Sequence, residues 1–162
     1  RLIQEECADI MISTISESTV KVQFVAHLKP EYIMPSSSVG FTRGLWEYDV
    51  MEIFFCRPDG SYIEIEVGPS GHWLVYGFSS YRNPLDTMPR PLRYESRVRG
   101  LRWEGEFFVP LAWLQSSLEQ CRVNAYQIRT GTKGREYLAW RSIPTLAPDF
   151  HKTECFDFLP LS

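Results

Sequence analysis

The tetrapeptide Arg57-Pro58-Asp59-Gly60 separates two runs of β-forming residues, "YDVMEIFFCR" (Tyr48 to Arg57) and "YIEIEVG" (Tyr62 to Gly68). Pro presets φ for a turn, and Asp-Gly supplies residues that tolerate left-handed geometry, so the flanking runs form an antiparallel hairpin. Strict alternation in the second run places Ile63, Ile65 and Val67 on one face and Tyr62, Glu64 and Glu66 on the other. If Ile53 and Phe55 share the core with Ile63 and Ile65, Glu52 joins Tyr62, Glu64 and Glu66 on the outer face. Three carboxylates and a phenol then occupy one surface, and they call for water, a cation or a hydroxyl-rich ligand.

Further strand signals cover "TVKVQFVAHL" (Thr19 to Leu28), "HWLVYGFSSY" (His72 to Tyr81), "RYESRVR" (Arg93 to Arg99), "EGEFFVPL" (Glu104 to Leu111), "NAYQIRTG" (Asn124 to Gly131) and "EYLAWRS" (Glu136 to Ser142). In "LAWLQSSLEQC", Leu111, Trp113, Leu114 and Leu118 behind Pro110 have the spacing of one short helix. "PEYIMPSSSVGFTRG" and "YRNPLDTMPRPLR" read as long loops, where binding residues commonly sit. About eight strands with little helix predict an all-β fold, an antiparallel β-sandwich with jelly-roll or immunoglobulin-like connections. With no repeat and no linker, residues 1–162 are expected to form a single domain.

A chain of 162 residues, 44% of them apolar, can bury a substantial core. It contains no apolar run of about eighteen residues, so no membrane span is expected. Seventeen basic and twenty acidic side chains leave a net charge of −3, which gives no general attraction to nucleic acid or anionic membrane. The local run of Arg90, Arg93, Arg97, Arg99 and Arg102 reads as a solvated strand pair. Cys7, Cys56, Cys121 and Cys155 lack any zinc spacing and read as isolated thiols, although their even number leaves disulfides open. The start at Arg1 without Met suggests a trimmed chain, so an extracellular or periplasmic location stays open.

Motifs for catalysis are absent: there is no GxSxG, glycine-rich phosphate loop or HExxH, and His27, His72 and His151 lie far apart in sequence. A non-enzyme is the expectation. Carboxylates beside an aromatic ring suit carbohydrate, because the former accept hydrogen bonds from hydroxyls and the latter stacks on a pyranose face. Trp46 and Trp73 are the ring candidates near the hairpin, whereas Trp103, Trp113 and Trp140 are expected in the core. The competing structural reading makes Glu52, Glu64 and Glu66 a solvated face, or pairs them with Arg43, Arg82, Arg129 or Arg141.

"LWEYDVMEIFF" (Leu45 to Phe55) resembles the family 9 carbohydrate-binding modules and the wider DOMON-like group, with their Trp-Glu-x-Asp-x-x-Glu-Ile/Leu-Phe signature. The resemblance continues through "YIEIEVGPSGHW", "GEFFVPLAWL", "YLAW" and "PDFHKTECFDFLPL". It implies a β-sandwich that binds sugar or, in some relatives, haem, without catalysis of its own. On that resemblance Trp46 matches the first of two stacking rings and Glu52 the acidic contact after it. Phe150 or His151 falls where the second ring, usually Trp, would be. Glu64 and Glu66 depart from the amide or basic groups of the sugar-binding members, and "YGFSSYR" is closer to a DOMON-like branch sometimes appended to UDP-N-acetylenolpyruvoylglucosamine reductases.

The ligand-binding set expected from the sequence is therefore Trp46, Glu52, Tyr62, Glu64, Glu66, Phe150 and His151, with carbohydrate as partner and association with a catalytic domain or another protein as a further role. A structural or protein-interaction sandwich is the alternative. A haem module would need an axial pair from Met34, Met51, Met88, His72 and His151, and no spacing selects one. No cofactor is assigned; calcium suits the many carboxylates, but no DxDxDG loop occurs.

Overall fold

A computed structural model describes residues 7–86 and 90–160; Met88 and part of the expected Tyr81–Arg93 loop lie outside them. The strands are β1 (Asp9–Ser16), β2 (Thr19–His27), β3 (Val50–Cys56), β4 (Tyr62–Val67), β5 (Trp73–Ser80), β6 (Asn83–Asp86), β7 (Arg93–Arg99), β8 (Arg102–Pro110), β9 (Arg122–Gly131), β10 (Gly134–Ala139) and β11 (Asp157–Phe158). They form two antiparallel sheets, one ordered β1-β2-β8-β7 and the other β10-β9-β3-β4-β5-β6 with β11 added on β9. The antiparallel β-sandwich expected from the turn spacing is the observed architecture.

All eight expected strands are present, and three more complete the sheets. β1 carries weak alternation because it is an edge strand, with Ile10 and Ile12 half-buried and Met11 exposed. β6 contains Pro84, which an edge position tolerates because no outer neighbour needs its missing N–H. β11 is too short to leave a pattern. The expected helix shrinks to one turn, α1 (Leu111–Leu114), which Gln115 ends in the left-handed region at φ 53°. A 3-10 turn at Leu118–Gln120 follows, capped by Ser117, and Leu114 and Leu118 bury themselves as the spacing required.

The hairpin turn is built as its composition dictates. Gly60 takes φ 88°, the Asp59 carboxylate accepts the Ser61 N–H at 2.9 Å, and the Arg57 N–H donates to the Ser61 carbonyl at 2.8 Å. Arg57 then donates from its guanidinium to the Trp113 carbonyl at 2.6 and 3.1 Å, tying the turn to α1.

Between the sheets lies a core of Val20, Val22, Phe24 and Ala26 from β2, Ile53 and Phe55 from β3, Ile63 and Ile65 from β4, and Trp103 and Phe107 from β8. The larger sheet is buried on its other face as well. Phe54, Tyr62, Phe78, Tyr126 and Phe156 make a second apolar layer, continued by Leu45, Val50, Leu74 and Ile128. As a result every residue of β3 and β4 is buried.

Trp103 is in the core as expected and Trp113 packs against it, but Trp140 is 37% exposed under the Arg141 guanidinium, 4.3 Å from the ring centroid. It lies just past the end of β10, an edge strand of the larger sheet. The arginine run does face water: Arg93, Arg97 and Arg99 alternate outward along β7, and Arg102 pairs with Glu104 at 2.9 Å. The four cysteines are free thiols, with Cys56 and Cys121 buried.

Phe24 lies opposite Gly105 in the β2–β8 register and stands edge-on to Trp103 at 4.9 Å. A Cβ at Gly105 would fall 2.2 Å from the Phe24 ring. Gly105→Ala should therefore force the ring out of its packing and cost about 1–3 kcal/mol, read as a lower urea midpoint with an unchanged m-value.

Candidate functional site

The outer face of the larger sheet carries the residues that alternation assigned to it. Glu52 lies directly across from Glu66 on one side and Tyr126 on the other, Glu64 sits between Phe54 and Tyr76, and Tyr62 between Cys56 and Phe78. This face is not solvated. Glu52, Glu64 and Glu66 are only 2%, 5% and 0% exposed, because chain segments from residues 41–49 and 148–156 fold over the sheet. Sequence alternation reports which side of a sheet a residue occupies; it carries no information about a later segment covering that side.

Of the four arginines expected as partners, Arg43 lies 5.8 Å from the centroid of the Phe41 ring and the other three form ion pairs with other carboxylates. Arg82 pairs with Asp149 at 2.9 Å, Arg129 with Glu136 at 2.8 Å and Arg141 with Asp157 at 3.1 Å. One ligand oxygen from each of Glu52, Glu64 and Glu66 lies within 4.8 Å of the other two. Glu66 receives no hydrogen bond from the described residues outside the cluster, its side chain interacts with that of Glu64, and His151 Nε2 stands 3.7 Å from the Glu64 carboxylate.

Three polar clamps hold the cover in place. At the β5–β6 hairpin, Arg82 adopts φ 52°, donates its backbone N–H to the Tyr62 hydroxyl at 3.0 Å and, with Tyr81, grips the Asp149 carboxylate. The Tyr62 hydroxyl also meets His151 Nδ1 at 2.8 Å. Buried Asp49 accepts the backbone N–H of Ile33 at 3.1 Å and of Thr130 at 3.0 Å, which fixes the loop leading to Trp46 against β9. Arg135 on β10 donates to the carbonyl oxygens of Trp46 and Tyr48, closing the same turn from its other side.

Burial sets the protonation of the cluster. Removal from water raises Glu52 well above the usual carboxylate range, the Glu64 charge adds to this, and Arg135 and Arg82 oppose it. Glu64 is pushed up to about 7 by burial, against a hydrogen bond from Glu66 and then the pull of Arg82. Glu66 is raised well above its ordinary value by burial and then by its two carboxylate neighbours. His151 falls to about 4 through burial and the Arg82 charge, so its ring is neutral at neutral pH. Burial raises the Tyr62 phenol to about 12. Asp149 has the opposite balance: burial opposes its ionisation, but hydrogen bonds from Tyr81 and Arg82 hold it below the ordinary value.

Above the carboxylates opens a cavity of about 500 Å³, lined by six of the seven expected residues: Trp46, Glu52, Glu64, Glu66, Phe150 and His151. Tyr62 is brought to the same place but does not line the cavity; fully buried, it supports His151 from beneath. Trp46, on a 3-10 turn at Leu45–Glu47, is 42% exposed. Phe150 stacks on Tyr126 with 4.0 Å between centroids. Trp73 does not join them and packs edge-on against Phe41 instead. Of the haem candidates among the described residues, Met51 lies in the inter-sheet core, His72 bonds the Ser37 carbonyl at 2.9 Å, and only His151 lines the cavity. Sequence reasoning passed over Tyr76, Tyr137 and Arg135 as site residues. Tyr76 was legible, since it shares the outward phase opposite Glu64; Tyr137 and Arg135 depended on β10 lying beside the Trp46 turn.

No protein-family model matches the chain. It is similar to the UPF0462 protein C4orf33 homologs of Mus musculus, at 30% identity over 119 residues, and Rattus norvegicus, at 34% over 121 residues. It is also similar to UPF0462 protein C4orf33 of Homo sapiens, at 29% over 119 residues. Each alignment covers 69% of this chain, and the chain spans 58–60% of the length of these curated relatives. Among solved structures, the fold matches a "putative carbohydrate-binding protein" from Bacteroides uniformis ATCC 8492 with a TM-score of 0.68 and 18% identity, over 93% of this chain and 76% of that one. No helix among the described residues is long and apolar enough to cross a membrane.

Tyr62 holds the covering segment through one hydroxyl that serves two partners. Tyr62→Phe keeps the ring stacked on Phe78, 4.8 Å away, but strands the Arg82 N–H and His151 Nδ1. The expected cost is about 1–3 kcal/mol, with faster proteolysis confined to residues 143–156; unchanged cleavage there would contradict the clamp.

Proposed function

We propose that this chain is a non-catalytic carbohydrate-binding module of the DOMON-like type related to family 9 modules, and that the cavity over β3 and β4 is its ligand site. The observation that carries the reading is the pairing of an exposed indole, Trp46, with buried carboxyl groups in one cavity of about 500 Å³. That volume lies within the range of small-ligand sites, which combine apolar walls with a few convergent polar groups. The carbohydrate-binding description of the Bacteroides uniformis fold neighbour supports the same reading.

In this reading Trp46 stacks on an apolar sugar face, and Phe150 and Tyr137 supply aromatic wall on the other side. Glu52, Glu64 and Glu66 meet hydroxyl groups at the floor. A protonated carboxyl donates one hydrogen bond and accepts others, so a partly protonated cluster can match hydroxyls in either role. Phe150 serves as the second ring rather than His151, whose imidazole is held by Tyr62 and packed edge-on against Phe54 and Phe78 at 5.3 and 5.0 Å. Arg82 and Arg135 frame the opening and keep the cover closed. The module contributes binding and no bond-making of its own, so any reaction on the sugar belongs to a catalytic partner.

Titration calorimetry against a panel of mono- and oligosaccharides tests this. At least one sugar should bind with a dissociation constant of millimolar or tighter, and Trp46→Ala should weaken it by about tenfold or more, the worth of one aromatic stacking contact. Absence of binding across the panel, or full binding by Trp46→Ala, would refute the assignment.

A further inference from the structure

We infer that Glu52, Glu64 and Glu66 form a binding site for a divalent metal cation at the floor of the cavity. The cluster meets three conditions that a surface patch of acids does not. Its ligand oxygens lie within 4.8 Å of one another, all three side chains are buried, and fully buried Glu66 has no hydrogen-bond partner outside the cluster among the described residues. Carboxyl groups crowded in a water-poor place are held either protonated or against a bound cation, and a metal ion that displaces their protons lets them ionise together. The arginines do not supply that charge by contact, since Arg82 is bound to Asp149 and Arg135 to the Trp46 turn.

The backbone explains why the oxygens converge. Glu52 and Glu66 face each other across the β3–β4 ladder, and Glu64 follows two residues earlier on the same face of β4. Directly opposed side chains start about 5 Å apart and diagonal ones about 7–8 Å apart, so the approach of all three depends on their bending toward one point. Two ligands on one ion are separated by at most twice the metal–oxygen distance, which is about 4–5 Å for the 2.0–2.6 Å bonds of Mg²⁺ and Ca²⁺. The observed spacing suits Ca²⁺ as it stands, and Mn²⁺ after a small contraction.

Three oxygen ligands make this a site for a hard divalent cation rather than a thiolate metal. His151 stands beside it: its Nδ1 is occupied by the Tyr62 hydroxyl, which leaves Nε2 turned toward Glu64 at 3.7 Å. A metal-bound imidazole is commonly oriented in this way through its other nitrogen. The remaining coordination positions of the ion would open into the cavity, where water or vicinal hydroxyls can reach them. The site rests on the protein's own carboxylates and stands whether or not a sugar binds above it.

The experiment uses the chain stripped with chelator and no sugar, so its result is separate from the carbohydrate titration. Thermal unfolding is followed with added CaCl₂, MnCl₂ or MgCl₂, and Mn²⁺ binding is counted by loss of the free-ion electron paramagnetic resonance signal. The wild-type midpoint should rise by several degrees at a hundredfold excess over the dissociation constant, with one Mn²⁺ bound per chain. Glu66→Gln and Glu52→Gln, nearly isosteric and checked for folding by circular dichroism, should lose both responses. The double substitution Glu95→Gln with Glu106→Gln, on the other sheet, should keep them. No shift and no bound Mn²⁺ in the wild type would overturn the site, as would an undiminished response in a folded Glu66→Gln variant.

Discussion

The strand pair β3–β4 is buried on both faces, and the rest of the molecule is arranged around that constraint. A sheet in an antiparallel sandwich usually packs one face inward and leaves the other to water. Here the inner face of Ile53, Phe55, Ile63 and Ile65 meets the four-stranded sheet, while the outer face of Phe54, Tyr62 and their neighbours lies under a second layer drawn from the loop before β3 and from the segment before β11. The polar groups of that outer face are thereby removed from water by the fold itself. Every feature of the cavity follows from where the second layer ends.

The cover stays in place through polar contacts with backbone, and these act at its edges. Asp49 binds two N–H groups from separate segments, Tyr62 receives the Arg82 N–H while meeting His151, and Arg135 reaches two carbonyls of the Trp46 turn. Such bonds fix orientation more than they add stability, since each exchanges a bond to water for a bond within the protein. Apolar packing of Phe150 on Tyr126, and of Phe156 near Phe54, supplies the cohesive part. The division of labour leaves Trp46 held by its backbone, with its indole free of the core.

The architecture was legible because its signals are local. Arg57-Pro58-Asp59-Gly60 declares the hairpin, and the alternation of β4 assigns Ile63, Ile65 and Val67 to the core without reference to any other strand. Even the grouping of Glu52 with Glu64 and Glu66 follows from hairpin register alone. What escaped was long-range. Nothing near Glu66 in sequence announces that residues 148–156 cover it, so the competing reading of a solvated face stayed open for a cluster that is buried. Trp140 looked like core because the run "EYLAWRS" reads as a strand, yet it falls just past the end of the edge strand β10 and stays partly open. Arg135 and Tyr137 reach the cavity only because β10 pairs with β9 beside the Trp46 turn, a proximity that no local pattern encodes.

Two departures from ordinary packing share this one cavity. A large indole stands in solvent on a clamped turn, and three carboxyl groups sit where apolar side chains would pack at lower cost. Replacing a buried ionic group with apolar residues of similar volume is often neutral or stabilising, so the fold has no need of Glu52, Glu64 and Glu66 for its cohesion. Sites at which local chemistry conflicts with stability are where function is expected to reside. The conflict is sharpest at Glu66, which is the most deeply buried of the three and finds no hydrogen-bond partner outside the cluster among the described residues. Its neighbours in the layer, Leu74 and Ile128, show what the fold places there when packing alone decides. The same reasoning separates the two proposals physically: stacking on Trp46 concerns the cavity's open side, whereas a cation would answer the crowding of buried carboxyl groups at its floor, which exists before any sugar arrives.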